Sequence, residues 1–335
     1  MNILITGGAG FIGSHTTVEL INAGHIPVII DDLSNSQESV YANLEEITGQ
    51  VITHYKGDIR DTKQLVDIIS KHDCSAAIHF AAYKAVGESV NEPVKYYRNN
   101  IEGTVSLLDA MQQTGMDDLI FSSSCTVYGD PKKIPVSEGS EIQSATNPYG
   151  ATKQMSEQII NDVCSATNIR AVILRYFNPI GAHPSGLIGE LPIGAPNCLV
   201  PYLIQATAGV RSPLTVFGDD YDTPDGTAIR DYIHVVDLAK AHVQSINYLS
   251  ESNETVSVFN IGTGTGTSVM EIINTFEKET GKKVPYSIGA RRAGDVPKTF
   301  ASTKKAEDIL GWKAELTVAD ALRDAWKWQK SLSTD

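Results

Sequence analysis

Short runs of apolar and β-branched residues alternate with segments of helical periodicity along the first half of the chain. These runs predict strands at 3–6, 28–31, 52–55, 76–80, 119–123 and 171–175. Alternation of this kind builds a parallel sheet that is covered by helices on both faces. The sequence therefore predicts an α/β fold with a doubly wound parallel sheet, and ligands are expected at the carboxyl ends of its strands.

The composition of the chain changes after Pro179, where glycine- and proline-rich loops separate shorter predicted helices and strands. We therefore expect residues 1–179 to form the sheet domain and residues 180–335 to form a smaller, mixed α/β domain that binds substrate. A strand-like run at 258–261 is a candidate to return to the first sheet. The periodicity at 321–326 predicts a helix that faces the core.

The first strand runs into a glycine loop and then into a helix. Its glycines fit two spacings, Gly8-x-Gly10-x-x-Gly13 and Gly7-x-x-Gly10-x-x-Gly13. Glycines let the backbone approach a pyrophosphate, and the helix N-terminus offers it free N–H groups. The order of strand, loop and helix predicts a Rossmann-type dinucleotide-binding domain.

The second apolar run ends in Asp31 and Asp32, and Asp31 lies about eighteen residues beyond Gly13. A carboxylate at this place accepts hydrogen bonds from an adenosine ribose. It also repels a 2′-phosphate, so the sequence favours NAD over NADP as cofactor.

Tyr149 and Lys153 form the second motif, downstream of the serine run 122–124. Side chains at i and i+4 share one face of a helix, so the ammonium can favour the phenolate form of the tyrosine. Free tyrosine has a pKa of about 10, so a base that works near neutrality needs roughly three units, about 4 kcal/mol, of stabilisation. We expect Lys153 and an oxidised nicotinamide to supply it together. The spacing alone also describes a surface tyrosine beside a solvated lysine, and the dinucleotide loop favours the catalytic interpretation.

Composition narrows the class of protein. The chain has 335 residues, 41% of them hydrophobic, and a net charge of −13, which disfavours nucleic acid or an anionic membrane as partner. No apolar run approaches the length of a membrane span, and we expect a cytoplasmic protein. The cysteines are too far apart for a zinc knuckle or a disulfide framework, and the histidines show no metal-ligand spacing, so we expect no metal. The cysteines are Cys74, Cys125, Cys164 and Cys198.

Further motifs extend this interpretation over nearly the whole chain. They are His79-Phe80-Ala81-Ala82, Lys84-Ala85-Val86-Gly87-Glu88-Ser89, residues 122–130, residues 174–186 and Arg230-Asp231-Tyr232-Ile233-His234-Val235. Together with the loop and the Tyr-Lys motif, these residues closely resemble the extended short-chain dehydrogenase/reductase superfamily and, within it, the UDP-glucose 4-epimerase family. The resemblance implies interconversion of UDP-glucose and UDP-galactose in galactose metabolism. It also implies tightly bound NAD and a transient 4-keto sugar.

The same resemblance implies the catalytic roles. Tyr149 would take the proton of the sugar 4′-hydroxyl, Ser124 would hydrogen-bond that oxygen, and Lys153 would hold the nicotinamide ribose and lower the pKa of Tyr149. The NAD-binding residues that it implies are Gly7, Gly10, Phe11, Ile12, Gly13, Asp31, Asp32, Asn35, Asp58, Ile59, Phe80, Ala81, Ala82, Lys84, Asn99, Ser122, Tyr149, Lys153 and Phe177.

A second set of residues is implied to bind the UDP-sugar. It comprises Lys84, Ser124, Tyr149, Asn178, Leu199, Phe217, Arg230, Tyr232, Arg292, Asp295 and Thr299. The pair Arg291-Arg292 in so acidic a chain favours a diphosphate contact for Arg292. Cys198 stands where an asparagine often contacts the nucleotide, so Asn197 is a candidate substitute. Thr299 stands where some members have a tyrosine beside the sugar 2′ position, which leaves room for UDP-N-acetylhexosamines.

Three alternatives remain. A sugar-nucleotide 4,6-dehydratase usually has Asp-Glu directly after the hydroxyl residue of the triad, where this chain has Cys125-Thr126. A dehydrogenase or reductase with dissociable cofactor is the second, and a non-enzymatic NAD-sensing scaffold is the third, disfavoured by the intact triad. The resemblance also implies a homodimer built on helices near 91–113 and 149–166.

Overall fold

The large sheet of this computed structural model, which describes residues 1–292 and 295–332, contains seven parallel strands. In spatial order they are β11 (Val256–Ile261), β6 (Arg170–Tyr176), β5 (Asp118–Ser124), β4 (Ala76–His79), β1 (Asn2–Thr6), β2 (Ile26–Asp31) and β3 (Thr53–Lys56). The order reverses beside β1, where the chain passes from β3 on one side to β4 on the other. Such a reversal opens a crevice at the carboxyl ends of the strands.

Helices cover both faces of this sheet, and further helices belong to the second half of the chain. They are α1 (Phe11–Asn22), α2 (Ser39–Thr48), α3 (Thr62–His72), α4 (Val86–Asn91), α5 (Pro93–Tyr96), α6 (Glu102–Thr114), α7 (Pro148–Ala166), α8 (Leu199–Thr207), α9 (Val235–Glu251), α10 (Val269–Thr280) and α11 (Val318–Ser331). Short turns of 3₁₀ or π helix lie at Tyr97–Ile101, Cys125–Tyr128 and Ala306–Leu310.

The apolar runs form strands because both of their faces are buried. Ile3 and Ile5 pack into one core with α1 and α9, whereas Leu4 packs into another with α3, α6 and α7. All three side chains are fully buried. Successive side chains of a strand point to opposite faces, so a continuous apolar run supplies both cores at once. The predicted α/β fold with a Rossmann-type doubly wound parallel sheet is confirmed.

The second half of the chain forms smaller sheets around its own apolar core. Its strands are β7 (Asn178–Ile180), β8 (Leu214–Phe217), β9 (Ile229–Arg230), β10 (Tyr232–His234), β12 (Thr267–Ser268), β13 (Tyr286–Gly289) and β14 (Lys298–Thr299). Strand β11 does not stay with them, because it pairs in parallel with β6 at the edge of the large sheet. Helix α9 precedes it in the chain and packs against α1. The boundary near residue 179 stays a prediction, and in space the two halves share one sheet.

The last helix confirms the prediction of a core-facing segment, since Ala321, Leu322 and Ala325 are buried in the core of the second half. Among residues 1–292 and 295–332, no helix is long and apolar enough to cross a membrane.

Candidate active site

The glycine loop between β1 and α1 packs so closely that a side chain cannot fit at two of its positions. Gly7 has a φ of +73°, and a Cβ on it would lie 2.8 Å from the Ala81 nitrogen. A Cβ on Gly13 would lie 2.3 Å from the Gly7 carbonyl oxygen. Helix α1 begins after Gly10 without a side-chain cap, so its first N–H groups stay available to an anion.

Asp31 lies at the carboxyl end of β2, directly beside this loop. Its Oδ2 accepts a hydrogen bond from the Ala9 N–H at 3.0 Å, and its Oδ1 accepts from Leu33 N–H and from the Ser36 hydroxyl. Burial raises the pKa of the carboxyl group, and these hydrogen bonds oppose the rise. The carboxylate is therefore fixed at the rim of the loop. Asp32, by contrast, is exposed and caps the turn at Ser34.

Helix α7 carries Tyr149 and Lys153 in its first two turns. The helix begins where the Asn147 side chain accepts a hydrogen bond from Gly150 N–H at 2.9 Å and Pro148 occupies the first turn. The spacing of four residues then sets both functional side chains on one face. Tyr149 is partly buried, and Lys153 is buried with 4% of its surface exposed.

Ser124, at the end of β5, completes the cluster. Its side chain accepts a hydrogen bond from Thr126 N–H at 3.2 Å, and it hydrogen-bonds the Tyr149 hydroxyl. Burial raises the pKa of Tyr149 to about 12, while Ser124 and the Lys84 ammonium act to lower it. The expected low pKa of Tyr149 is thus not a property of the protein chain by itself, because burial outweighs the cations that the chain supplies.

The Lys153 ammonium donates a hydrogen bond to the Ser122 carbonyl oxygen. Burial lowers the pKa of Lys153 to about 8, and the nearby Glu157 carboxylate opposes this shift. The Ser122 side chain is itself bonded by the Tyr176 hydroxyl from β6. The end of β5 therefore holds the lysine from one side and the tyrosine, through Ser124, from the other.

Lys84 spans the cleft between the two halves of the chain. It lies on the loop after β4, and its Nζ is 3.0 Å from Glu190 Oε1 in the loop before α8. The Glu190 side chain is largely buried, with 11% exposed, and this carboxylate raises the pKa of Lys84. A second bond joins the two halves of the chain, since Asn35 Oδ1 in the loop after β2 accepts from Ile193 N–H at 3.3 Å.

The residues expected to hold the nucleotide diphosphate meet on the far side of the cleft. Arg292 donates two hydrogen bonds to the Asp295 carboxylate, at 3.2 and 2.9 Å, and its guanidinium lies 5.6 Å from the centre of the Phe217 ring. Arg230 approaches the same carboxylate at 3.8 Å. Thr299 pairs with Arg230 in the parallel register of β14 and β9. Residues 293 and 294, between Arg292 and Asp295, lie outside the described residues.

Other predicted residues line the same crevice. Asn178 pairs with Tyr232 in the register of β7 and β10, and Leu199 begins α8. The remaining residues predicted to bind the cofactor are buried or half-buried around the ends of β1, β3, β4 and β6. They are Phe11, Ile12, Ile59, Phe80, Ala81, Ala82 and Phe177.

Two residues predicted to bind the cofactor have side chains that are already hydrogen-bonded to residues close by in the chain. The Asp58 carboxylate accepts hydrogen bonds from the Arg60 backbone and guanidinium, both at 2.9 Å to Oδ1, and this arginine lowers the pKa of Asp58. The Asn99 amide donates to Asn100 at 3.0 Å. No group of His, Cys, Asp and Glu within 1–292 and 295–332 could hold a metal ion.

Sequence reasoning missed Asn100, which ties the loop after β4 to helix α7 beside Tyr149 and Lys153. Its amide is buried, accepts from Tyr83 N–H at 2.9 Å, and donates to the Tyr83 carbonyl and to the Thr152 hydroxyl at 3.0 Å. The preference for Asn99 over its neighbour came from the resemblance alone. Only the tertiary structure distinguishes the two, because both lie in one π-helical turn.

A seven-stranded parallel sheet, a glycine loop and a Ser, Tyr and Lys cluster at one cleft define the short-chain dehydrogenase/reductase class. Residues 4–325 match the family model described as GDP-mannose 4,6 dehydratase. A UDP-glucose 4-epimerase of Dictyostelium discoideum is 50% identical over 328 residues, which cover 98% of this chain and 95% of that protein.

Solved structures agree with the sequence comparison. The UDP-glucose 4-epimerase from Bifidobacterium longum in complex with NAD+ and UDP has a TM-score of 0.95 at 47% identity, covering 99% of this chain and 98% of that one. The enzyme from Stenotrophomonas maltophila with bound NAD and formylated UDP-arabinopyranose has a TM-score of 0.97 at 47% identity, covering 100% and 99%. The chain belongs to the UDP-glucose 4-epimerase family, within the broader family that the matched model describes.

Proposed function

We propose that this protein is an isomerase that interconverts UDP-glucose and UDP-galactose through a transient 4-keto sugar, with NAD held throughout the cycle. One observation carries the proposal most directly. Ser124, Tyr149 and Lys153 meet at the end of β5, beside the glycine loop, in a chain about half identical to UDP-glucose 4-epimerases along its whole length.

The residues present fit NAD. Gly7 and Gly13 allow the tight turn between β1 and α1, and the uncapped start of α1 supplies N–H donors for a pyrophosphate. Asp31 at the rim suits the adenosine ribose hydroxyls. We propose that Lys153 and Ser122 lie beside the nicotinamide end of the cofactor. When bound, NAD supplies a reversible hydride acceptor and a positive charge near Tyr149.

In this proposal, Tyr149 acts as the general base and Ser124 orients the reacting oxygen. Tyr149 removes the proton of the sugar 4′-hydroxyl and later returns it, while the Ser124 hydroxyl hydrogen-bonds the same oxygen. The pKa of Tyr149 is raised to about 12 in the protein alone. Lys84 and Lys153 therefore have to act together with the cofactor charge to ionise it near neutrality.

The second half of the chain would hold the UDP group while the sugar turns. Arg230 and Arg292 both face the Asp295 carboxylate, so a diphosphate could replace or bridge that contact through the guanidinium groups. Phe217, with 45% of its surface exposed beside Arg292, offers a ring to the uracil. Tight binding of the nucleotide and loose binding of the sugar allow either face of the sugar to reach Tyr149, the general base.

A 4,6-dehydratase is the second candidate, because the matched family model carries that description. Elimination of water needs an added acid and base beside the triad. Cys125 and Thr126 follow Ser124 here, and burial raises the pKa of Cys125 to about 12, so the thiol is a poor acid or base near neutrality. This observation favours epimerisation.

We also propose a homodimer built on α4 to α7. Val90, Val94, Val105 and Met155 expose 59, 65, 46 and 47% of their surfaces there. A cavity of about 130 Å³ between α6 and α7 is lined by Val105 and five neighbours. Apolar surface that clusters in this way is typical of an interface. The free thiols of Cys74, Cys125, Cys164 and Cys198 support a reducing, cytoplasmic location.

The experiment that tests the function is incubation of purified protein with UDP-galactose without added NAD. Formation of UDP-glucose is expected, and release of NAD on acid denaturation should account for the cofactor. A 4-keto-6-deoxy product would support the dehydratase instead. Stoichiometric formation of NADH and an oxidised sugar on addition of NAD would support a dehydrogenase with dissociable cofactor.

A further inference from the structure

Behind the catalytic lysine lies a buried charge pair that the roles above leave unused. Glu157 follows Lys153 by four residues on α7, so the two side chains share one face of the helix. They expose 5% and 4% of their surfaces. Ser122 of β5 accepts the lysine ammonium, and the next residue, Ser123, donates its hydroxyl to Glu157 Oε1 at 2.5 Å. One strand end therefore fixes both charged groups.

Arg175 binds the other side of the same carboxylate. The register of β5 and β6 places it beside Ser123. Its Nε lies 2.9 Å from Glu157 Oε1 and its Nη2 lies 2.6 Å from Oε2, a bidentate pair. Its Nη1 donates to the Tyr128 hydroxyl at 3.1 Å. These hydrogen bonds replace the water that the buried carboxylate loses.

The other titratable groups near Lys153 carry no negative charge. His79 on β4 has its pKa lowered to about 3, chiefly by burial. Tyr176 on β6 has its pKa raised by burial. Arg175 is bound to the Glu157 carboxylate. Among the described residues, Glu157 is therefore the negative charge that acts on the lysine.

We propose that Glu157 is a positioning residue that keeps Lys153 protonated during catalysis, while Arg175 and Ser123 prevent the carboxylate from drawing the ammonium away from the Ser122 carbonyl. The inference rests on the proposed function, in which the lysine charge supports the Tyr149 phenolate. Burial by itself favours a neutral lysine, and a carboxylate four residues away on the same face offsets that preference.

The test compares Glu157→Gln with the wild-type holoenzyme. Gln keeps the shape but removes the charge, so the alkaline limb of the pH profile of kcat should move down by about one unit or more. Because a neutral Lys153 no longer supports the phenolate, the acid limb should move up. Ionisation of Tyr149, read as the tyrosinate absorbance that Tyr149→Phe removes, should shift upward even in protein that shows no turnover.

Two further variants separate charge from packing. Ser123→Ala loosens the same carboxylate but keeps its charge, so kcat should fall while both limbs stay in place. Glu157→Gln combined with Arg175→Gln avoids an unpaired buried arginine, and its alkaline limb should lie between wild type and Glu157→Gln. Reduced kcat with unmoved limbs and an unmoved tyrosinate titration in folded, NAD-loaded Glu157→Gln would show a purely structural role. Absence of epimerase turnover in wild type would refute the proposed function instead, while the tyrosinate titration would still decide the role of Glu157.

Discussion

Lys84 and Glu190 lie 106 residues apart in the chain, and their side chains meet at 3.0 Å across the cleft. The lysine belongs to the loop after β4, and the glutamate belongs to the loop before α8. The same lysine lowers the pKa of Tyr149, so one ion pair connects the second half of the chain with the proposed base. The contact between the two halves and the acidity of Tyr149 therefore depend on the same lysine.

Replacing Lys84 with Met should therefore raise the pKa of Tyr149. The acid limb of the kcat profile should move to higher pH by about half a unit to one unit, because the lysine is only partly buried and solvent screens its charge. Lys95→Met is the matched control, since Lys95 pairs with Glu88 at 2.7 Å and does not act on Tyr149. An unmoved acid limb in Lys84→Met would contradict the assignment.

Replacing Tyr149 with Phe should keep the fold and the bound NAD but lower kcat roughly 10²- to 10⁴-fold, because only the proton acceptor is lost. Single-turnover rates at saturating substrate measure the effect. Tyr202→Phe serves as the control, since that hydroxyl lies on α8 beside Ser212. Retention of more than about a tenth of the wild-type rate would assign the base elsewhere.

Replacing Asp31 with Asn should weaken NAD retention and relax discrimination against NADP. The carboxylate is fixed at the loop by Ala9 N–H, so its loss removes both a ribose acceptor and a charge that repels a 2′-phosphate. Cofactor content after dialysis measures the change. The exposed Asp32, changed to Asn, should have a smaller effect. Equal retention of NAD and NADP by the wild-type protein would overturn the prediction.

A small residue at position 299 should admit UDP-N-acetylglucosamine and UDP-N-acetylgalactosamine as substrates. Thr299 pairs with Arg230 in register, so a tyrosine ring there would narrow the pocket wall, and Thr299→Tyr should selectively abolish turnover of the acetamido sugars. Lys298→Tyr adds the same ring on the opposite face of the strand and should leave both activities. Paired assays of the two substrate classes decide the matter: equal loss on both, or no acetamido turnover by wild type, speaks against this role.

The exposed apolar face of α4 to α7 should mediate dimerisation. Val105→Lys places a charge in that face and should raise the dimer dissociation constant at least about tenfold. Val210 is similarly exposed, at 60%, outside those helices, so Val210→Lys should leave the association unchanged. Analytical ultracentrifugation measures both. A wild-type protein that sediments as a monomer at micromolar concentration would exclude the proposed dimer.

The sequence was most informative about features that depend only on residues close together in the chain. The apolar runs predicted the strands, because residues buried on both faces leave a continuous signature. The spacing of Tyr149 and Lys153 placed both on one helical face for the same kind of reason. Fold class and family could therefore be inferred before any contact was known.

Partners that lie far apart in the chain left no such signature. Glu157 stands at a visible helical spacing from Lys153, but its bond to Arg175 depends on the register of β5 and β6. Glu190 reaches Lys84 only through tertiary structure. The low pKa expected for Tyr149 stays a prediction for the NAD-bound protein, because spacing shows which cations are near and does not show how much water burial removes.

The edge position of β11 has a consequence for synthesis and for protein engineering. Until residue 261 has left the ribosome, β6 has an unpaired edge, and such edges invite association with other chains. A fragment that stops at residue 179 would keep that edge permanently. Any exchange of the second half of the chain for that of another protein therefore has to retain residues 256–261. Without this strand, which belongs to the second half of the sequence, the large sheet stays incomplete.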